Sequence, residues 1–183
     1  TLSITAAKRK ALITSLNRRI KNDRAKLNML KHNRQNLEKT VSQLKVINTP
    51  DHFNFTQHHM RWPVTGTLIT HFGQSIAQSE LSWSGVVIRA NAGTPVQAVA
   101  SGQVVFAKWL AGYGLLIIVN HGKGYMSLYG RNQSLFKHIG DHVAQGETIS
   151  RVGNSGGYQQ AGLYFALRHN ADPINPSQWC HAG

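Results

Sequence analysis

Apolar residues between Ile13 and Leu44 recur at steps of three and four: Ile13, Leu16, Ile20, then Leu27 and Leu30, then Leu37, Val41 and Leu44. Asp23 and Arg34 fall on the same rows and interrupt them. No Gly or Pro lies inside the segment, and Pro50 ends it. The spacing predicts a long amphipathic helix with a heptad seam, about 48 Å in length at about 1.5 Å per residue. One such helix cannot bury its own stripe. It needs a partner: an upstream helix, another subunit or the domain that follows.

From Trp62 onward the period changes. Short β-type runs alternate with Gly-containing turns: GTLITHF, SGVVIRA, PVQAVA, GQVVFAKW, GLLIIVNH, GYMSLYG, HVAQGETIS and GLYFALRH. Strands at that density, with no second helical pattern, predict an antiparallel β-sandwich or partly open barrel. Val96, Ala98 and Val104 alternate toward one face, and LLIIVN, apolar on both faces, reads as a central strand. The expected organisation is therefore α+β: a basic helix over 1–48, a linker over 49–60, and a mainly antiparallel β domain over 61–183. HGKG and GNSGG lack the spacing, the Lys-Ser/Thr pair and the following helix of a phosphate-binding loop.

Charge changes the picture in one place. The chain of 183 residues carries a formal charge of +13. Residues 1–48 hold 12 Lys/Arg against two acids, Asp23 and Glu38, while the remainder holds 8 against 5. The basic character belongs to the helix, whose faces are either a solvated coiled-coil surface or attracted to an acidic partner, anionic lipid or nucleic acid. Residues 1–50 contain no aromatic side chain for base stacking, so nucleic acid is not the expected partner. No stretch approaches the roughly 20 apolar residues of a membrane span. The opening TLSITAAKRK has no signal-peptide run, as in a mature or trimmed piece of chain.

Candidate chemistry is sparse. His52, His58 and His59 cluster in the linker without a zinc-type spacing or a supporting Cys or acidic pair, so a polar loop is expected there. His71 and His121 stand near strand ends and are expected to be structural hydrogen bonders. Cys180 is the single cysteine, so no intrachain disulfide forms, and nothing orients it with His181 as a nucleophile pair.

The runs WPVTGTLITHFG, GTPVQAVASGQVVFA, GYGLLIIVNHGKGYMSLYG, VAQGETISRVGNSGG and LYFALR…NPSQW resemble the LytM domain of the M23 peptidase family over about residues 61–180. WLAGYGLLIIVNHGKGYMSLYGRNQS, and the Trp-x-Gly of LSWSGVVI, resemble the EnvC-type murein hydrolase activators, in which a coiled coil precedes that domain. Active members of the family hold Zn²⁺ through the His and Asp of an H-x-G-x-D run and the second His of an H-x-H run. The first His of H-x-H and a strand-ending His assist the water. The resemblance puts Trp83 and Val87 at the first pair, Gly130 at the strand-ending His, and Gly162 and Tyr164 at H-x-H. All five are replaced by residues unsuited to zinc, which implies a degenerate domain with no catalytic metal, no other cofactor and no peptidase activity.

A cleft without ligands still has walls. Trp83, Val87, Tyr113, Leu116, Tyr129, Tyr164 and Arg168 are the expected contact set for a partner. Tyr164 and Arg168, four residues apart on an extended strand, share a face. Aromatic anchors with one Arg suit an amphipathic helix laid into a groove. The alternative is that Trp83 and Tyr164 simply plug the old metal cavity. The resemblance implies a periplasmic zinc-dependent N-acetylmuramoyl-L-alanine amidase of a Gram-negative bacterium as the partner. Its blocking segment would enter the cleft during septal peptidoglycan splitting, and an FtsEX-type membrane complex would act through the coiled coil. Ser84 departs from the pattern, since relatives carry a basic residue between the Trp and the Gly. The basic helix is also free to pack across the domain and occlude the groove. The competing readings are a peptidoglycan-binding or scaffold module, and a residual metallopeptidase.

Overall fold

In the computed structural model, residues 2–44, 60–76 and 79–182 are described. The three linker histidines and linker residues 49–59 lie outside them. The first element, α1, runs without a break over Leu2–Leu44, beginning earlier than the seam that predicts it. Leu, Lys, Arg and Ala supply about half of it, and these side chains lose little rotamer freedom in a helix. It is the one α-helix among the described residues.

Twelve strands follow: β1 (Met60–Arg61), β2 (Thr67–Thr70), β3 (Val86–Arg89), β4 (Pro95–Gln97), β5 (Gly102–Leu110), β6 (Gly114–Gly122), β7 (Tyr125–Leu135), β8 (His142–Val143), β9 (Thr148–Val152), β10 (Gly162–His169), β11 (Asp172–Ile174) and β12 (Cys180–His181). Ten of them form one antiparallel sheet in the order β2-β3-β10-β7-β6-β5-β8; β11 pairs with β10, and β9 joins β7 to β4. β1 and β12 make a separate parallel pair that ties the two ends of the β domain together. The mainly antiparallel β domain thus consists of one branched sheet and a small separate pair, not of two stacked sheets. The run HVAQGETIS, expected as a single strand, divides into β8 and β9. A turn closes between them, where Ala144 N–H donates to the Glu147 carboxylate and Glu147 N–H to the Ala144 carbonyl.

β6 lies between β5 and β7 and is buried on both faces, as LLIIVN predicts. Its side chains divide between two cores by simple alternation. Ile117 and Val119 join a layer with Val86, Ile88, Val96, Tyr129, Leu163 and Phe165. Leu116 and Ile118 join the opposite layer with Val87, Val105, Phe106, Met126, Leu128, Tyr164 and Ala166. That second layer is roofed by the helix: Leu37 and Val41 are fully buried in it, and Leu44 packs at its margin. The C-terminal half of the seam therefore finds its partner in the following domain. Ile13, Leu16 and Ile20 remain about half exposed.

Candidate functional site

Three neighbouring strands hold four of the five residues at which the resemblance implies replaced ligands. On β10, Tyr164 pairs with Val87 of β3 on one flank and with Gly130 of β7 on the other. Gly162, two residues back on β10, pairs with Arg89. A Cβ at Gly130 would lie 3.1 Å from the Tyr113 carbonyl oxygen and 3.3 Å from the Tyr164 ring, so both crowd the place of a side chain there. The Tyr113 ring meets the Tyr164 ring with centroids 5.1 Å apart. Trp83, half-buried, precedes β3 and is pinned by backbone hydrogen bonds to Gln74 and Gly73.

These residues do not fit a zinc ion. Val87, Gly130 and Gly162 offer no donor atom. The Tyr164 hydroxyl lies 3.3 Å from Ser84 Oγ, and burial pushes its pKa above the ordinary phenol value, which disfavours the phenolate a metal would need. Burial raises Tyr113 in the same way. Among the described residues, no group of three His, Cys, Asp or Glu is placed to hold a metal. Ser84, where relatives are expected to carry a basic residue, is buried against Tyr164.

Arg168 lies further along β10 on the Tyr164 face and is fully buried. Its guanidinium makes two parallel hydrogen bonds to the Glu38 carboxylate of the helix, at 2.8 and 3.0 Å, and a third to the Ala171 carbonyl at 3.1 Å. One turn up the helix, the Arg34 guanidinium donates to the Ser82 carbonyl beside Trp83. Leu116 is fully buried beneath the helix in the same layer. The helix therefore lies along the cleft, and its own side chains occupy the contact set. Between them remains a cavity of about 460 Å³, walled by Leu27, Leu30 and Arg34 of the helix and by Trp83, Tyr113, Arg131, Tyr158 and Tyr164 of the domain.

One expected contact residue is elsewhere. Tyr129 is fully buried in the opposite core, where its hydroxyl accepts from Val99 N–H at 3.0 Å and meets Ser127 Oγ at 2.9 Å. The alternation of β7 gives the cleft side to Leu128 and Gly130, so Tyr129 is corrected to a core residue. Its neighbour His121 is fully buried between the Ser101 carbonyl (2.8 Å to Nδ1) and Ser127 Oγ (2.7 Å to Nε2). Burial is the dominant cause that lowers its pKa from 6.5 to about 4, the Ser101 hydrogen bond opposing. His71 is exposed in a turn. Burial pushes the Cys180 thiol up to about 12, the reverse of an activated nucleophile.

The sequence reading missed Glu38, Arg131 and Tyr158. Glu38 had a signal: it is one of two acids in a strongly basic segment and stands between the seam residues Leu37 and Val41. Arg131 had none, because its placement depends on a bulge in β7.

The model of peptidase family M23 matches residues 81–176. Among curated proteins, the chain is 48% identical over 118 residues to the murein hydrolase activator EnvC of Escherichia coli K12, covering 64% of this chain and 28% of that protein. It is 32% identical over 120 residues to the murein hydrolase activator NlpD of the same organism, covering 65% and 30%. The chain thus spans less than a third of the length of these relatives. Its fold resembles the crystal structure of a putative peptidase M23 from Pseudomonas aeruginosa, with a TM-score of 0.68 and 22% identity over 85% of this chain and 64% of that one.

Proposed function

The chain belongs to peptidase family M23, and we propose that it keeps the family's cleft as a protein-binding groove and works as a non-catalytic murein hydrolase activator. The groove receives the blocking segment of a periplasmic zinc-dependent N-acetylmuramoyl-L-alanine amidase, through Trp83, Val87, Tyr113, Leu116, Tyr164 and Arg168. Holding that segment favours the open amidase by population shift, so the activator needs no chemistry of its own. The observation that carries this reading is the row Val87–Tyr164–Gly130. It stands at ligand positions without ligands, under a helix that the same apolar groove already accepts. The identity with proteins named as murein hydrolase activators supports it.

In this reading residues 1–48 are the end of a coiled coil, 49–60 a linker and 61–183 the degenerate LytM domain. The exposed seam residues Ile13, Leu16 and Ile20, with Leu12 beside them, support a helical partner for the outer half of α1. An FtsEX-type membrane complex acting through that coiled coil would lift the helix from the groove and start septal splitting in the periplasm. No described helix is long and apolar enough to cross a membrane.

Titration of a purified periplasmic amidase against the full chain tests the reading. Binding is expected to tighten in Glu38→Ala, which frees the groove, and to disappear in Tyr164→Ala. Equal affinity for all three proteins contradicts it. Sedimentation with purified murein in the absence of amidase binding would favour a scaffold instead.

A further inference from the structure

The two buried arginines of the cleft are not alike. Arg168 meets a carboxylate; Arg131 does not. Arg131 is only 7% exposed, and its guanidinium lies 3.4 Å from the centre of the Tyr158 ring. Among the described residues it forms no ion pair. Asp23, the one carboxylate that lines the same cavity, is exposed on the helix and does not pair with it. The stacked ring offsets part of the cost of removing this guanidinium from water, but it supplies no negative counter-charge.

The backbone adds a second, independent cost at the same residue. Arg131 has φ +65°, a conformation that disfavours most side chains. It belongs to a bulge: from Tyr129 to Asn132 β7 advances three residues while β6 advances two, from Ile117 to Leu115. Arg131 N–H is anchored on the Tyr113 carbonyl at 2.6 Å. The bulge lies where β7 passes from pairing with β10 to pairing with β9, and bulges of this kind re-aim a side chain. Here Arg131 is brought to the wall of the 460 Å³ cavity, together with Arg34. A strained backbone and a buried guanidinium that has an aromatic ring but no carboxylate for a partner, at one cavity-lining residue, mark a binding position.

We propose that the cavity between the helix and the sheet is a binding site for an organic carboxylate on an apolar carrier, with Arg131 as the carboxylate's partner. The remaining walls near it, Leu27, Leu30, Trp83 and Tyr164, suit the carrier, and the guanidinium fork suits a bidentate carboxylate. The site does not depend on whether the groove also takes an amidase, since it exists with the helix in place. The carboxylate has two possible sources, a peptide C-terminus or an acidic side chain.

Calorimetric titration of the full chain with three probes tests this: acetyl-Ala-Leu, its C-terminal amide, and acetyl-Glu-Leu amide. At least one carboxylate probe is expected to bind about tenfold or more tightly than the amide, the gain of a charge-assisted hydrogen-bonded pair. Preference for acetyl-Ala-Leu assigns a peptide terminus; preference for acetyl-Glu-Leu amide assigns a side chain. Arg131→Gly should erase the discrimination while the thermal midpoint holds, because glycine adopts this φ freely. Arg131→Asn, which also tolerates it, is the second variant should the first fail to fold. The proposal is overturned if no carboxylate probe binds, if the amide binds equally, or if either folded variant still discriminates.

Discussion

Glu38 of the helix and Arg168 of β10 are 130 residues apart in sequence and joined by two parallel hydrogen bonds of 2.8 and 3.0 Å. The arginine is fully buried, while the Glu38 side chain is 41% exposed. Removal of the carboxylate leaves a buried cation unpaired. Glu38→Ala should therefore weaken helix docking by about 1–3 kcal/mol, below the full cost of breaking a buried pair because Glu38 is partly hydrated. Amide exchange in residues 30–44 should accelerate. Glu38→Leu combined with Arg168→Met should recover most of the protection.

Gly85, in the Trp-Ser-Gly run, tests how tightly the loop lies on β10. A Cβ there would stand 2.6 Å from the Phe165 carbonyl oxygen and 2.9 Å from Ala166 Cβ. The loop must shift to accept it. Gly85→Ala should cost about 1–3 kcal/mol of stability in denaturant unfolding, and the moved loop should displace Trp83 and weaken partner binding.

His121 links stability to pH. In the fold its pKa is lowered from 6.5 to about 4, so the unfolded chain binds a proton that the folded one refuses. Stability is therefore full above about pH 6.5 and falls as pH drops toward 4, by up to about 3 kcal/mol. Unfolding midpoints measured across that window should fall steeply. His121→Gln, which has no titrating group, should flatten the slope while lowering stability at neutral pH.

Much of this was legible in the sequence because alternation is a local signal. β5, β6 and β10 follow their apolar runs closely, and Tyr164 and Arg168 share a face as their spacing requires. Alternation also carried the warning about Tyr129: it is the neighbour of Gly130, which pairs with Tyr164, and adjacent strand residues face opposite sides. β1 and β12 are two residues long and carry no period. β11 depends on a turn through Asn170 and Ala171, both at positive φ, and Ala171 does not advertise it as glycine would. The seam announced that α1 needed a partner, but the Glu38 contact that fixes it in the groove is non-local. Arg131 is the extreme case, since its role arises from a bulge and not from its neighbours in sequence.

The central claim is that the degenerate cleft activates another enzyme and that α1 restrains it. Release of dye from labelled peptidoglycan by this chain alone, by a periplasmic amidase alone and by the two together tests both parts. The account predicts release above the amidase baseline only in the mixture, greater with Glu38→Ala and lost with a folded Tyr164→Ala. Release by this chain alone, or a mixture no more active than the amidase, would contradict it.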